Sequence, residues 1–261
     1  MAITLRSRRE IDLIRKAGAV VADVLSKLKE MAEPGVTTAR LDGVASQITA
    51  DAGAEALFRG VESPSSQIPF PGAICASIND QVVHGIPSED SKLKTGDILS
   101  IDFGVRLNGY CADAAVTVAI GEISDDRRRL MDATEHALDI AIEKAAPSAR
   151  WSQIAAQMQQ YVESAGFSVV RDFVGHGIGR KMHEEPRLPN FVSSELLAED
   201  VVLAEGMVVA VEPMINAGSC AVRTLKNGWT VVTRDGKSSA HFEHTIVIVK
   251  NGCEVLTVKG R

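Results

Sequence analysis

Two stretches of this chain read alike at a constant offset, and that repeat constrains its fold more than any single motif. An offset of 113 (147 − 34) takes Pro34 to Pro147, Ala52-Gly53 to Ala165-Gly166, Leu25 to Leu138 and Gln47 to Gln160. Leu41 and Ile48 likewise meet Ile154 and Tyr161. Ser7-Arg8-Arg9-Glu10 has the S-x-x-E pattern of a capping box. It precedes apolar positions at Ile11, Ile14, Val21, Val24, Leu25 and Leu28, near the 3.6-residue helical period, and Pro34-Gly35 ends that helix. Thr37 or Thr38 caps a second helix with Leu41, Val44, Ala45 and Ile48 on its inner face. Residues 125–146 form the matching long helix, broken at Pro147-Ser148, and a further helix with Ile154, Met158 and Tyr161 ends near Gly166. A duplicated helix–helix–sheet unit accounts for the match, with chance alignment of two helical hairpins as the alternative. Duplication predicts two α+β halves related by a pseudo-twofold axis, with a site between them.

Strand-like runs follow each helix pair, at Ala73–Ile78, Ile98–Val105, Cys111–Ile120, Met207–Val211 and His241–Lys250. No Ser/Gly/Pro-rich linker divides the chain, so a single domain over 1–261 is expected, with residues 59–71 as a surface loop. The formal charge of −6 argues against a nucleic-acid or anionic-membrane binder, either of which would carry a basic stripe. Arg127-Arg128-Arg129 is the one basic run, and beside Asp125-Asp126 it reads as a solvated helix start. The four cysteines have no CxxC spacing, which argues against a structural zinc site. The N-terminal segment lacks the apolar core of a signal peptide, and no stretch is long enough to span a bilayer, so a cytoplasmic address is expected.

Asn108-Gly109 between two alternating runs predicts a type I′ hairpin. Centring the turn there pairs Leu107 with Tyr110 and therefore Gly104 with Asp113. Asp102 projects from the same face as position 104, so Asp102 and Asp113 are diagonal neighbours, and Gly104 leaves space opposite Asp113. Two carboxylates this close repel unless a proton or a metal neutralises them. An exposed sheet face with both aspartates in water is the alternative, but the run Asp97-Ile-Leu-Ser-Ile-Asp-Phe-Gly is largely apolar and favours the metal.

Further acids and histidines sit in similar surroundings. His176 lies between two glycines in Gly175-His-Gly-Ile-Gly-Arg180, where the backbone can approach a ligand closely. Glu212 ends the apolar run Val208-Val-Ala-Val, and Glu243 precedes the apolar run Ile246–Val249. An unpaired charge in a buried strand is expensive, and several strand acids in one chain point to metal coordination.

Together, Val83-His84-Gly-Ile-Pro87, Ser100-Ile-Asp102-Phe-Gly104, the Asp113 hairpin, the Gly175–Arg180 segment, His183-Glu-Glu-Pro186, Val211-Glu212-Pro-Met214 and Phe242-Glu243-His-Thr245 resemble the type I methionine aminopeptidases of bacteria. The match runs in the family's order from the first helix almost to the C-terminus. The resemblance implies the pita-bread α+β fold, with two pseudo-twofold-related helix–helix–sheet halves forming a curved antiparallel sheet and the site between them. It implies that Asp102, Asp113, His176, Glu212 and Glu243 hold two divalent ions, of cobalt, manganese, iron or zinc. Asp113 and Glu243 would bridge the pair, Asp102 would complete one site, and His176 with Glu212 the other. A metal-bridging hydroxide would attack the carbonyl after an initiator methionine, Glu212 would take and return the proton, His183 would donate to the carbonyl oxygen, and His84 would contact the leaving amide. Phe70, Cys75, His84, Met182 and Trp229 would line the methionine pocket, although Cys75 and Trp229 read equally well as packed core. So closed a pocket admits only a small, uncharged second residue, and a chain that begins Met1-Ala2 is itself a substrate.

The partners implied are nascent polypeptide N-termini, with room for a transient ribosome contact and with a monomer as the working state. At Ser66-Gln-Ile-Pro-Phe70-Pro71 the family usually carries Gly-Tyr-x-Gly-aromatic-Pro, and only Phe70-Pro71 survives; Met182 replaces a commonly aromatic position. Proline-directed peptidases share the ligand set but usually carry a large extra N-terminal domain, and type II enzymes carry a helical insertion that is not seen between Gly166 and Glu212. A non-catalytic pita-bread binding module would have lost ligands, and all are present here.

Overall fold

The computed structural model describes residues 3–259 of the chain, so the Met1-Ala2 terminus and its expected self-cleavage lie outside the described residues. Its helices recur at the offset seen in the sequence. Helix α1 (Arg8–Met31) is followed by α2 (Thr38–Asp51), and α3 (Asp125–Lys144) by α4 (Trp151–Ser164). Adding 113 to both bounds of α2 gives α4, and adding it to the end of α1 gives the end of α3. The short strands Glu55–Ala56 and Ser168–Val169 follow at the same offset. Gly35 and Ser148 both take positive φ, 95° and 72°. Their N–H groups donate to the Leu93 and Leu203 carbonyls, at 2.8 Å in each case.

The caps are those the sequence predicts. Ser7 Oγ accepts from the Glu10 N–H and the Glu10 carboxylate accepts from the Ser7 N–H at 2.9 Å, so both arms of the box are made. Thr37, not Thr38, caps α2. Two readings need correction. Tyr161 is 37% exposed and rests on His136, with ring centroids 4.5 Å apart, while Val162 takes the inward position. Arg127 is not simply solvated: its guanidinium turns back to donate to Ser238 Oγ and the Gly96 carbonyl, while Arg128 and Arg129 stay exposed.

The main sheet has nine strands, all paired antiparallel. Its path runs Glu55–Ala56, Ile98–Leu107, Tyr110–Ala119, Glu243–Val249, Val208–Val211, Gly175–Gly177 and Glu184–Leu188, with Cys75–Ile78 on Ile98–Leu107 and Gly252–Val255 on Glu243–Val249. Each half has its own core. Ile14, Val21 and Leu28 of α1 pack on Ile101 and Phe103, while Leu138 and Trp151 of the second helix pair pack with Val209 and Ile246. Strand alternation then decides the other face. Ile101 and Phe103 point to the helices, so Asp102 points away; Ala112 and Ala114 point to the helices, so Asp113 and Ala115 point away.

The pseudo-twofold axis continues into the centre of the sheet. Gly96 and Gly206 both have positive φ at an offset of 110 (206 − 96), which makes Glu212 the counterpart of Asp102. Nearer the axis the offset is 128 (241 − 113). Thr245 Oγ1 donates to the Asp113 carbonyl at 2.8 Å and accepts from the Asp113 N–H at 3.0 Å. Thr117 Oγ1 makes the same two bonds to His241, at 2.8 and 2.9 Å. Because the single Thr117 hydroxyl proton is used there, Ser100 must be the donor in its 2.8 Å bond to Thr117. These clamps hold the backbone on either side of the axis where the ladder itself is short. Thr245→Val keeps the shape and leaves a buried N–H and C=O of Asp113 unpaired, so it is expected to cost about 2 kcal/mol in urea unfolding. A cost below a few tenths of a kcal/mol would show that the clamp holds nothing.

Candidate metal centre

Asn108 and Gly109 have φ of 52° and 79°, both left-handed as a type I′ turn requires, and the register that follows pairs Leu107 with Tyr110, Gly104 with Asp113 and Asp102 with Ala115. Across the next ladder Ala115 also pairs with Glu243, so Asp102 and Glu243 flank one small side chain on a single sheet face. Thr245 pairs with Ala210, and Ala210 with His176. Glu212 lies two residues beyond Ala210 and shares its face. Register alone therefore places Asp102, Asp113, Glu243, His176 and Glu212 around one spot.

The side chains converge as the register demands. Ligand atoms of Asp113, His176 and Glu243 lie within 4.8 Å of one another, and His176 Nε2 is 3.5 Å from Glu212 Oε1. His176 Nδ1 sits 3.0 Å from the Gly177 carbonyl, which fixes it as the protonated nitrogen and turns the Nε2 lone pair into the cluster. Asp113, His176 and Glu243 are buried, and Asp102 and Glu212 nearly so. Asp102 Oδ1, Asp113 Oδ1 and Glu243 Oε1 have no hydrogen-bond partner among the described residues. A Cβ on Gly104 would come within 3.1 Å of Asp113 Oδ1, so glycine is what makes room for that carboxylate.

Burial drives the electrostatics. Desolvation, aided by the neighbouring carboxylates, pushes Asp102, Glu212 and Glu243 well above the usual carboxylate range, and desolvation raises Asp113 to about 7. Desolvation, with the charge of His183 adding to it, lowers His84 and His176 to about 4, which keeps both imidazoles neutral. Orphaned carboxylate oxygens, an imidazole lone pair and a glycine cradle form a donor set that fits divalent cations, hard enough for manganese or iron and tolerant of cobalt or zinc.

Every residue singled out in the sequence, whether ligand, histidine or pocket wall, lines one cavity of about 200 Å³. Phe70, Cys75 and Trp229 pack with Phe58 as a small apolar cluster against which Met182 leans, so the core and pocket readings of Cys75 and Trp229 describe the same wall. Trp229 meets Phe70 edge-on at 5.2 Å, and its Nε1 donates to the Ile68 carbonyl at 3.0 Å. The loop 66–69 therefore contributes backbone to the wall of the cavity. Trp229→Ala is expected to weaken about tenfold the binding of a ligand whose apolar side chain fills this cavity and to cost about 3 kcal/mol of stability; unchanged binding would remove the ring from the pocket. His84 has positive φ of 57°, and the following residue must be glycine because a Cβ on Gly85 would overlap the Ala76 carbonyl. His183 stands exposed at the cavity mouth, its ring 4.4 Å from that of His176.

The sequence reading passed over Phe58, Val61, Val83, Phe173, Met214 and His241, which line the same cavity. For His241 a signal existed, since it stands two residues before Glu243 and must share its sheet face. A second, larger cleft of about 770 Å³ shares His84, His176, His183 and Glu212 with the first. The acidic cluster thus sits where a small apolar pocket meets an open groove.

The metallopeptidase family M24 model matches residues 12–250. The chain belongs to that family. A methionine aminopeptidase of Clostridium perfringens is 49% identical over 256 residues, 98% of this chain and 99% of that protein. The crystal structure of methionine aminopeptidase from Thermotoga maritima superposes with a TM-score of 0.93 at 38% identity, covering 98% of this chain and all of that one. A prolidase from Pyrococcus furiosus shares the fold, with a TM-score of 0.77 at 21% identity over 98% of this chain and 66% of that chain. Membership of a metallopeptidase family agrees with the donor set: the cluster is built for divalent metal. Among the described residues no helix is long and apolar enough to cross a membrane.

Proposed function

We propose that this chain removes the N-terminal methionine from peptides and nascent proteins whose second residue is small and uncharged. The observation that carries the reading is the placement of the five-residue donor set at the junction of a small apolar pocket and a larger groove. The pocket suits one flexible apolar side chain, and the groove leads the rest of the peptide outward. The relatives named methionine aminopeptidase match this chain over almost its whole length, which supports the same specificity.

Two divalent ions held by Asp102, Asp113, His176, Glu212 and Glu243, with Asp113 and Glu243 shared, would supply an acidified water and a polarised scissile carbonyl. The chain's own groups do the rest. Glu212, facing the groove as well as the cluster, takes the water proton and returns it to the leaving amine. His183 at the mouth donates a hydrogen bond to the carbonyl oxygen, where charge develops. His84, held neutral by burial beside Trp229 and Phe173, meets the amide of the leaving peptide. Phe70, Cys75, Met182 and Trp229 exclude water from the methionine side chain. We take the working form to be a cytoplasmic monomer that meets nascent chains with at most a transient ribosome contact.

Hydrolysis of Met-Ala-Ser, Met-Leu-Ser and Ala-Pro-Ser by protein loaded with Mn²⁺ or Co²⁺ tests this reading. Cleavage confined to Met-Ala-Ser is expected. Preference for Ala-Pro-Ser would move the chain to the proline-directed branch, and no cleavage with metal bound would make it a binding module.

A further inference from the structure

Arg6 is a cation buried under the active-site loop, and the mechanism above leaves it without a task. Its side chain is 5% exposed, and it ion-pairs with Glu184 and, at 3.8 Å, with Glu10. Its backbone N–H donates to the Gly206 carbonyl at 2.7 Å, which ties the N-terminal arm to the sheet. Burying a cation costs free energy unless it is well partnered, and Arg6 Nε has no hydrogen-bond partner among the described residues. The guanidinium packs against the Cα of Gly179, where a Cβ would overlap it in its present position.

The other end of the ion pair explains the investment. Glu184 follows His183 directly, and its second carboxylate oxygen accepts from the Lys181 N–H at 3.0 Å, closing the turn that carries Met182 and His183. The same turn is held from below. Cys111 N–H donates to the Gly179 carbonyl at 2.6 Å, and the Arg180 guanidinium lies 4.8 Å over the Tyr110 ring. The Tyr110 hydroxyl donates to Glu10 at 3.0 Å, which completes a circuit back to Arg6. The imidazole of His183 itself has no hydrogen bond among the described residues to orient it, so its aim depends on the turn.

We infer that Arg6 is a positioning residue: through Glu184 it fixes the turn 181–184 and so the direction of the His183 imidazole toward the substrate carbonyl. This rests on the role given to His183 above. A side chain that acts only in the transition state changes kcat and leaves ground-state binding nearly unchanged.

The test is a cycle on metal-loaded enzyme, with metal content measured for each variant and Met-Ala-Ser as substrate. Arg6→Ala and Glu184→Gln should each lower kcat about tenfold with KM changed less than threefold, and Arg6→Lys should recover most of the loss. In a His183→Ala background, Arg6→Ala should lower kcat no further. Equal losses in both backgrounds would overturn the inference, because Arg6 would then act on folding or metal retention and not through His183. Full activity of both Arg6→Ala and Glu184→Gln would overturn it as well. If His183→Ala alone keeps full kcat, the role of His183 itself fails, and the inference falls with it. Should Arg6→Ala not fold, Glu184→Gln, which keeps the shape and removes the charge, carries the same comparison.

Discussion

Asp113→Ala is expected to abolish peptide cleavage, lowering kcat/KM by about a thousand-fold or more while the far-UV circular dichroism stays native. The reasoning runs through the sheet. Asp113 sits diagonally from Asp102 and one strand away from Glu243, and its side chain is where the donor atoms of both halves of the cluster meet. In the function proposed above, its removal would take the shared carboxylate from both metal positions at once. A bound metal is worth several kcal/mol of transition-state stabilisation, and at about 1.4 kcal/mol per tenfold the loss of one position reaches three orders of magnitude. Folding should survive, because alanine is already the residue at 112, 114 and 115, and the Thr245 clamp grips only the backbone of residue 113. Metal analysis should report fewer than two ions per chain. Activity within tenfold of the parent would mean that the cluster is not the reaction centre. Thr245→Val should fall between the two, with weaker metal binding but measurable turnover.

How far the site was readable in the sequence depended on how local its logic was. The Asn108-Gly109 turn set the register of a long hairpin by itself, so the neighbourhood of Asp102 and Asp113 followed from counting residues. The offset between the helical pairs gave the two halves and their axis. Neither argument reaches across the axis. That Glu243 stands opposite Ala115, and that His176 reaches Ala210, depends on pairings between strands far apart in the chain, which no local signal encodes. Those residues stood out as an imidazole and acids in unusual surroundings, but their assembly with Asp102 and Asp113 into one ligand set came from family resemblance. Phe58 borders the irregular loop 59–71 and Val61 lies within it, where there is no periodicity, so nothing in the sequence aimed them at the cavity. The errors at Tyr161 and Arg127 share a cause: an amphipathic residue was assigned by type, and its placement was decided by what lay beside it.

The metal-free protein should lose stability as pH rises through the window in which its cluster still holds protons that the unfolded chain has released, and added metal should reverse this by an amount that grows with pH. Burial raises Asp113 to about 7 and its three carboxylate neighbours in the same direction, against about 3.9 for an aspartate in the unfolded chain. Below the unfolded value both states hold the proton and nothing is lost. Between about pH 4 and pH 7 the unfolded chain releases it and the folded one does not, so stability falls as pH rises, and it levels off once Asp113 ionises. For Asp113 alone, about three pH units at 1.36 kcal/mol each make a loss on the order of 4 kcal/mol. Divalent metal needs the ionised carboxylates and binds the folded state, so the stabilisation by Mn²⁺, measured as the difference between urea unfolding with Mn²⁺ and with chelator, should increase across the same window. Taking that difference cancels groups elsewhere that titrate alike in both forms. Asp113→Asn separates the causes. It should stabilise the chelated protein at pH 8, where the parent must bury a charge, and should lose most of the gain from Mn²⁺. A Mn²⁺ gain equal at pH 5 and pH 8 would mean that the carboxylates are already ionised and compensated without metal, and that the fold does not hold them in tension for a cation to relieve.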